Sequence, residues 1–185
     1  QVADGDDARG GVNPGPLNIV NALIDMDTCY LLDDLTLFDR LAAAMNADPA
    51  RYEALGDAEV DLALVMRRPG GTPPFRVLLG FRGITCDTVA ELADGGEQGA
   101  DCWLEGDLAQ WEAMFADIAA HGRATGAWTL NSLTIMGDQI ELHAADPMGW
   151  DKFHRFNQTL QEFFDAAAAL PDRSLTTQEV GHAGA

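Results

Sequence analysis

The chain has 185 residues, 47% of them hydrophobic, and a formal net charge of −19 at pH 7. A chain of this length buries roughly 70% of the surface that it exposes when unfolded, so a sizeable core is expected. The negative charge repels nucleic acid and anionic lipid headgroups, and the 11 Lys and Arg residues form no basic stripe. We therefore predict a globular protein that does not bind nucleic acid.

The composition of both ends predicts disorder. Residues 1–16 are rich in Gly, Asp and Pro and hold almost nothing apolar, which is typical of a disordered arm, and residues 171–185 give the same prediction. No apolar run approaches the length of a transmembrane helix, and no signal peptide is visible. We expect a cytoplasmic protein with no stable membrane insertion.

The three cysteines are Cys29, Cys86 and Cys102, and no two of them form a CxxC pair. Neither a zinc motif nor a redox motif is therefore predicted. Cys86 and Cys102 lie in strand-like runs, which predicts buried thiols in a reducing compartment. We predict no cofactor.

Residues 17–57 are predicted to be helical. Asp33 or Asp34 can cap a helix whose apolar residues follow at helical spacing: Leu35, Phe38, Leu41 and Met45. Tyr52 and Leu55 indicate one more turn, and the apolar segment from Leu17 to Met26 predicts a short helix or a lid. This N-terminal extension is a candidate surface for a homodimer.

The hydrophobic period then changes to that of β-strands. Two runs each place four apolar residues on one face: Val60, Leu62, Leu64 and Met66 in the first, and Phe75, Val77, Leu79 and Phe81 in the second. A third run continues through Ile84 and Cys86. The intervening segment RRPGGTPP, residues 67–74, is predicted to be a hairpin loop, so the three runs predict an antiparallel meander.

Residues 100–122 predict a strand followed by a helix. Asp107 is a good N-cap, Gln110 stands three residues on as in a capping box, and Gly122 is a plausible stop. The helix carries one apolar stripe: Leu108, Trp111, Met114, Phe115 and Ile118.

Residues 131–138, NSLTIMGD, have an apolar residue at every other position, which predicts a last strand. A long closing helix follows, with an apolar face formed by Trp150, Phe153, Leu160 and Phe164 and widened by Phe156 and Phe163. The chain as a whole therefore predicts an α+β fold of about five strands with helices against the sheet.

Two blocks of the sequence resemble the sterol carrier protein type-2 family of lipid-binding domains. The first is ADCWLEGDLAQWEAMF, residues 100–115, where the family has an Ala-Asp strand, a short turn and a helix with an inward Trp or Leu. The second is NSLTIMGD, which departs from the family pattern at Asn131, where Gly is usual. The resemblance covers roughly residues 58–165 and implies a lipid-binding domain over residues 58–170.

The resemblance implies a structural role for the second block. Leu133 and Ile135 would lie in the last strand and face the interior, while Gly137 would allow a turn and Asp138 would cap a helix formed by QIELHAA. In this family the sheet and helices enclose an apolar tunnel for a lipid or fatty acyl chain.

If such a cavity exists, the apolar stripe of the helix after Asp107 is the first candidate to line it, because that stripe faces the predicted sheet. Met and aromatic side chains suit a pocket that adapts to a hydrophobic guest. The candidate ligand-binding residues are Trp111, Met114, Phe115, Ile118, Leu133, Ile135, Ile140, Phe153 and Phe156.

The most enzyme-like group of side chains is His143, Asp146, Asp151 and His154. Asp151 and His154 lie three apart on one predicted helix face, a spacing that permits two ligands of a metal site. The alternative is a solvated helix start, with Asp146 as the cap, Pro147 at the first helical position and an ordinary contact between Asp151 and His154.

Four arginines fall around one hairpin, where they could contact an acidic ligand group or form ion pairs with nearby carboxylates: Arg67, Arg68, Arg76 and Arg82. The leading functional hypothesis is the binding or transfer of a sterol, fatty acid or acyl thioester in an apolar cavity. The alternatives are an enzyme or accessory subunit that uses the His143 group, and a structural role for residues 17–57.

Overall fold

The computed structural model describes residues 30–135, 139–170 and 175–176. The predictions for the arm 1–16, for the segment from Leu17 to Met26, for Cys29, and for Gly137 and Asp138 lie outside the described residues. So does most of the predicted tail, of which Leu175 and Thr176 are described.

The described chain contains five α-helices, five longer strands and two strands of two residues. The helices are α1 (Leu35–Ala47), α2 (Pro49–Glu53), α3 (Leu108–His121), α4 (Leu130–Ile135) and α5 (Pro147–Asp165). The strands are β1 (Tyr30–Leu31), β2 (Ala58–Arg67), β3 (Phe75–Gly83), β4 (Thr85–Glu91), β5 (Cys102–Asp107), β6 (Ile140–Ala144) and β7 (Leu175–Thr176).

The five longer strands form one mixed sheet in the order β4-β3-β2-β5-β6. β2, β3 and β4 make the predicted antiparallel meander, β5 runs parallel to β2, and β6 runs antiparallel to β5. Helices lie against this sheet, so the predicted α+β architecture is confirmed. β1 and β7 pair with each other in parallel, apart from the sheet.

Alternation along the strands gives the sheet an inner face and an outer face. The inner face is apolar and buried: Val60, Leu62, Leu64, Met66, Phe75, Val77, Leu79, Phe81, Cys86, Cys102, Leu104, Ile140 and Leu142. The outer face carries the charged residues that alternate with them, including Asp61, Arg76, Arg82, Glu105 and Glu141. The helices pack on the inner face, since their buried residues join the same core.

The connection between the parallel strands β2 and β5 crosses the outer face through a short 3-10 helix, Gly96–Gly99, and has no α-helix there. Residues 92–101 pass from β4 to β5 and contact β2, β3 and β5. Arg76 on the outer face holds this segment through ion pairs to Asp94 at 2.6 Å and Glu97 at 3.1 Å. Gly95 turns the segment with a φ of 77°, a conformation that favours glycine.

Helix α1 forms where its apolar spacing predicted. Asp34 is its cap, because the Asp34 Oδ1 accepts a hydrogen bond from the Thr36 N–H at 2.7 Å. Phe38, Leu41 and Met45 are buried in the core that the sheet forms, while Leu35 is half-buried. Pro49 then begins α2, whose Tyr52 is also buried.

The prediction for residues 131–144 was wrong in the order of its elements. Residues 130–135 form helix α4, and the strand β6 follows at Ile140–Ala144, where a helix was expected. Leu130 and Leu133 are three residues apart and both buried, which suits one turn of helix, whereas a strand would place the two side chains on opposite faces. The segment Ile-Glu-Leu-His alternates, and pairing with the edge of β5 fixes it as the strand.

The first turn of helix α5 is capped by Asp146, as predicted by the alternative to a metal site. The Asp146 Oδ1 accepts hydrogen bonds from the N–H groups of Met148 and Gly149 at 2.8 and 3.0 Å, and Pro147 is the first helical residue. Gly149 packs against the backbone carbonyl of Asp101 so closely that a Cβ would overlap it. Trp150, predicted on the buried face, is instead 46% exposed.

Candidate functional site

The buried apolar side chains of the described chain form one cluster between the inner face of the sheet and helices α1, α3 and α5. We call this cluster the apolar interior. Helix α3 contributes the stripe that its spacing predicted, and all five of its residues are buried: Leu108, Trp111, Met114, Phe115 and Ile118. Asp107 stands at the N-cap position without making a side-chain capping bond, because its carboxylate pairs with Arg67 at 2.8 Å. Gly122 ends the helix with a φ of 81°, as predicted.

Aromatic rings link α3, α5 and the sheet within this interior. The Phe164 ring lies 6.2 Å from Trp111 and 6.0 Å from Phe115, measured between ring centroids. Phe163 meets Phe164 at 5.4 Å and Phe81 of β3 at 5.2 Å, both edge to face. Edge-to-face packing is favourable for aromatic pairs, so the interior is held together by rings from three elements.

Few polar groups reach this interior. Thr159 and Asp165 are the polar residues buried in the described chain. The Asp165 Oδ1 accepts hydrogen bonds from the Ala124 N–H and the Gln161 amide, both at 2.9 Å. Burial raises the pKa of the Asp165 carboxyl above its ordinary value, and these two hydrogen bonds act against that shift.

Tyr52 borders the interior through its ring and directs its hydroxyl to the backbone. The hydroxyl donates a hydrogen bond to the Glu162 carbonyl at 3.3 Å. Burial raises the pKa of Tyr52 to about 12, so the phenol stays neutral at ordinary pH.

The indole of Trp111 differs from these satisfied groups. Trp111 is fully buried, yet its Nε1 has no hydrogen-bond partner among the described residues. Buried tryptophans usually find a partner for this N–H, so the arrangement is unusual.

The thiols of Cys86 and Cys102 are free and buried on the inner face, as predicted. Burial raises the pKa of each thiol to about 12. Because the thiolate is the reactive form of cysteine, neither residue is suited to act as a nucleophile near neutral pH.

The nine candidate ligand-binding residues do not all lie in the interior. Seven are buried there: Trp111, Met114, Phe115, Ile118, Leu133, Ile140 and Phe153. Phe156 is half-buried against the same core. Ile135, expected to face inward from a strand, ends helix α4 and is 59% exposed. The ligand-binding role of these residues remains a prediction.

The four residues of the enzyme-like group have separate structural roles. His143 lies on the outer face, where its ring stacks on Trp103 at 5.2 Å, and its Nε2 stands 3.2 Å from Glu141 without hydrogen-bond geometry. Asp146 caps α5, and Asp151 pairs with Arg155 at 2.6 Å. His154 is exposed, and its ring lies 6.1 Å from the Trp150 ring, measured between centroids. Within residues 30–135 and 139–170, no group of three or more His, Cys, Asp or Glu side chains is arranged to hold a metal ion.

The arginines of the hairpin form ion pairs with carboxylates, one of the two roles predicted for them. Arg67 pairs with Glu105 and Asp107, Arg82 with Asp61, and Arg68 with Asp33. The Arg68 guanidinium also lies over the Phe75 ring, 5.6 Å from its centroid.

Sequence reasoning missed the residue that fastens α5 to the sheet. The Asp101 Oδ2 accepts a hydrogen bond from the Asp61 N–H at 2.8 Å, and its Oδ1 pairs with the Lys152 Nζ at 2.7 Å. Its backbone N–H also donates to the Asp61 carbonyl at 3.0 Å. Asp101 belongs to the Ala-Asp pair at the start of the first block that resembles the family, but neither that pair nor the glycine-rich turn before it indicates a bond to Lys152.

Comparison with solved structures identifies the fold. A crystal structure of sterol carrier protein 2 matches with a TM-score of 0.57 and 22% sequence identity, covering 76% of this chain and 99% of that chain. A solution structure of a conserved hypothetical protein from Thermus thermophilus matches with a TM-score of 0.49 and 23% identity, covering 72% of this chain and 87% of that chain. No family model matches the sequence, and no curated protein matches it.

The match to sterol carrier protein 2 includes nearly the whole of that domain and extends beyond residues 58–165, where the two sequence blocks placed the resemblance. The resemblance is thus confirmed at the level of structure: this chain has the fold of sterol carrier protein 2.

Proposed function

We propose that this protein binds or transfers a hydrophobic small molecule, such as a sterol or a fatty acyl compound, in an apolar cavity between the sheet and its helices. The observation that carries the proposal is the shared fold with a protein named as a sterol carrier, over 99% of that protein's chain. Fold alone does not determine function, so the chemistry of the interior has to support it independently.

The interior supports the proposal through its composition. Its walls on α3, α5 and the inner face are apolar, and its two buried thiols are unreactive near neutral pH. Met114 has a flexible, polarizable side chain that can repack around a guest, and aromatic walls suit flat or chain-like hydrocarbons.

The energy available from such burial is sufficient for binding. A ligand that buries about 300 Å² of apolar surface gains about 7.5 kcal/mol at roughly 25 cal/mol per Å². Association costs reduce that figure, so micromolar to millimolar affinity is the expected range for a single alkyl chain.

In the described ranges, no helix is both long enough and apolar enough to cross a bilayer.

Native mass spectrometry of the purified protein, followed by solvent extraction and lipid analysis, tests the proposal. The expected result is a bound apolar molecule, or uptake of a fluorescent long-chain lipid by protein that has been stripped of lipid. A protein that neither carries nor takes up any apolar molecule would overturn the proposal.

Two matched variants on one helix locate the bound molecule. Met114→Phe adds a ring inside the interior, whereas Ala109→Phe adds the same ring on the exposed side of α3. We expect uptake to fall several-fold in the first variant and to remain at the wild-type level in the second, with circular dichroism confirming that both are folded. Equal uptake by both variants would place the ligand elsewhere.

A further inference from the structure

The unpaired indole of Trp111 bears on the chemistry of the ligand. Trp111 lies in the middle of the α3 stripe, is fully buried, and has an Nε1 without a partner among the described residues. A buried donor without an acceptor has given up its hydrogen bonds to water and gained none in return. Burying such a group is unfavourable unless another molecule supplies the acceptor.

No described residue accepts a hydrogen bond from the Trp111 indole, and the polar side chains of the interior described above have partners of their own. The rings packed around Trp111 belong to Phe164 and, through it, to Phe115, and neither ring carries a conventional acceptor. The buried Asp165 carboxylate accepts its hydrogen bonds from Ala124 and Gln161. The Tyr52 hydroxyl is bound to the Glu162 carbonyl. None of these groups is hydrogen-bonded to the indole.

We propose that the Trp111 Nε1 donates a hydrogen bond to a neutral oxygen acceptor on the ligand, such as an ester, ketone or hydroxyl oxygen. This inference rests on the proposed function, and it narrows the ligand class from any apolar molecule to one that carries a single neutral acceptor at its buried end.

Charge decides between a neutral acceptor and a carboxylate. A buried anion needs a cation or several donors, because removing an unpaired charge from water is very unfavourable. The polar residues buried in the described chain are Thr159 and Asp165, and neither is a cation. No buried cation is described that could pair with a fatty acid carboxylate at Trp111, and the net charge of −19 on the chain disfavours an anion there.

The size of the effect follows from the net value of a hydrogen bond. A buried hydrogen bond of this type is expected to improve affinity by about two- to tenfold over a ligand of the same length that lacks the acceptor. The gain should disappear when the N–H is removed while the ring is kept.

Three probes with the same alkyl chain test the inference: methyl decanoate, decane and decanoate. Each is titrated into lipid-stripped wild-type protein, Trp111→Phe and Trp103→Phe. The last variant is the matched control, because it removes an indole from the outer face. We expect wild type and Trp103→Phe to bind the ester more tightly than decane or decanoate, and Trp111→Phe to bind the ester and decane equally.

A second readout does not depend on any variant remaining folded. In ¹⁵N-labelled wild-type protein, the Trp111 indole proton should move downfield when methyl decanoate binds and should move much less with decane. Weaker binding caused only by altered packing would not produce this difference between two ligands in the same protein.

The possible outcomes separate the two proposals. Failure of all three probes to bind wild-type protein would overturn the proposed function and this inference with it. Three results would overturn this inference and leave the proposed function in place. Wild type could bind the ester and decane with equal affinity, or it could bind decanoate more tightly than the ester. The third is an indole proton resonance of Trp111 that does not shift when the ester binds.

Discussion

The inner and outer faces of the sheet come from the same strands but stabilise the molecule in different ways. On the inner face, residues such as Leu62, Leu64 and Leu104 are completely buried against helices. On the outer face, the long side chains form ion pairs, such as that of Arg82 with Asp61 at 2.7 Å, with both partners at least a third exposed. Fold stability and the proposed ligand site therefore share the inner face, and changes to the outer face should affect neither strongly.

The outer face is not a second apolar site, because the chain itself covers its centre. Ala63 and Val65 point to the outer face and are buried all the same. Residues 92–101 cross that side of the sheet, and Arg76 anchors them there. This segment thereby reduces the exposed apolar surface on the side of the sheet where no described α-helix packs.

The largest difference between the faces should come from one matched pair of leucines. Leu104→Ala removes a fully buried inner-face side chain and should lower the free energy of unfolding by about 2–5 kcal/mol. Leu78→Ala removes a half-buried outer-face side chain and should cost about 1 kcal/mol. Urea denaturation measures both values, and equal losses would contradict the difference between the two faces.

A pair of glycines tests how closely α5 must approach the sheet. A Cβ at Gly149 would overlap the Asp101 carbonyl and lie 2.9 Å from the Ala144 Cβ, so Gly149→Ala should destabilise the protein by about 3 kcal/mol. Gly99, in the segment that crosses the outer face, has nothing within 4 Å of such a Cβ. Gly99→Ala should therefore leave the midpoint of thermal unfolding nearly unchanged, and a comparable loss in both variants would argue against close packing at Gly149.

Asp165 should give the interior a pH dependence. Burial raises its folded-state pKa above the ordinary value of 3.8, so the native state holds this proton to higher pH than the unfolded state does. The contribution of Asp165 to stability should therefore be greatest below pH 3.8 and should fall as the pH rises through the folded pKa.

Asp165→Asn removes this titration while keeping an oxygen that can accept from Ala124 and Gln161. The difference in unfolding free energy, wild type minus variant, should decrease as the pH is raised from below 3.8. Denaturation at a series of pH values measures it. A difference that increases with pH would show that the hydrogen bonds, not burial, dominate the pKa of Asp165.

The smallest effect is expected on the outer face. Arg82→Ala removes the ion pair with Asp61, in which the arginine side chain is 44% exposed and the aspartate 35% exposed. Exposed pairs of this kind contribute about 0–1 kcal/mol, and salt weakens them. A loss well above that range in chemical denaturation would mean that the outer face stabilises the fold more than its exposure indicates.

The elements that could be predicted from sequence are those with long, consistent periods. Helices α1, α3 and α5 and strands β2 and β3 each extend over nine or more residues, enough for one period to dominate. Residues 130–144 were misassigned because α4 and β6 have only six and five residues. Over so short a span an apolar pattern fits either structure, and the free edge of β5 decides which segment becomes the strand.

The burial of the candidate site residues could be predicted only where the element itself was assigned correctly. The buried stripe of Trp111, Met114, Phe115 and Ile118 follows from helical spacing alone. The orientation of Ile135 depended on the misassigned strand, so it was wrong. The unpaired state of the Trp111 N–H could not be predicted, because it depends on which acceptors the tertiary fold brings near the indole.

Isotope-filtered NMR on labelled protein loaded with unlabelled methyl decanoate tests the central claim most directly. The proposed site predicts nuclear Overhauser contacts from the ligand to interior side chains such as Met114, Ile118 and Leu104, and none to Leu78 on the outer face. Contacts confined to the outer face, or no contacts at all under saturating ligand, would contradict a ligand site between the sheet and its helices.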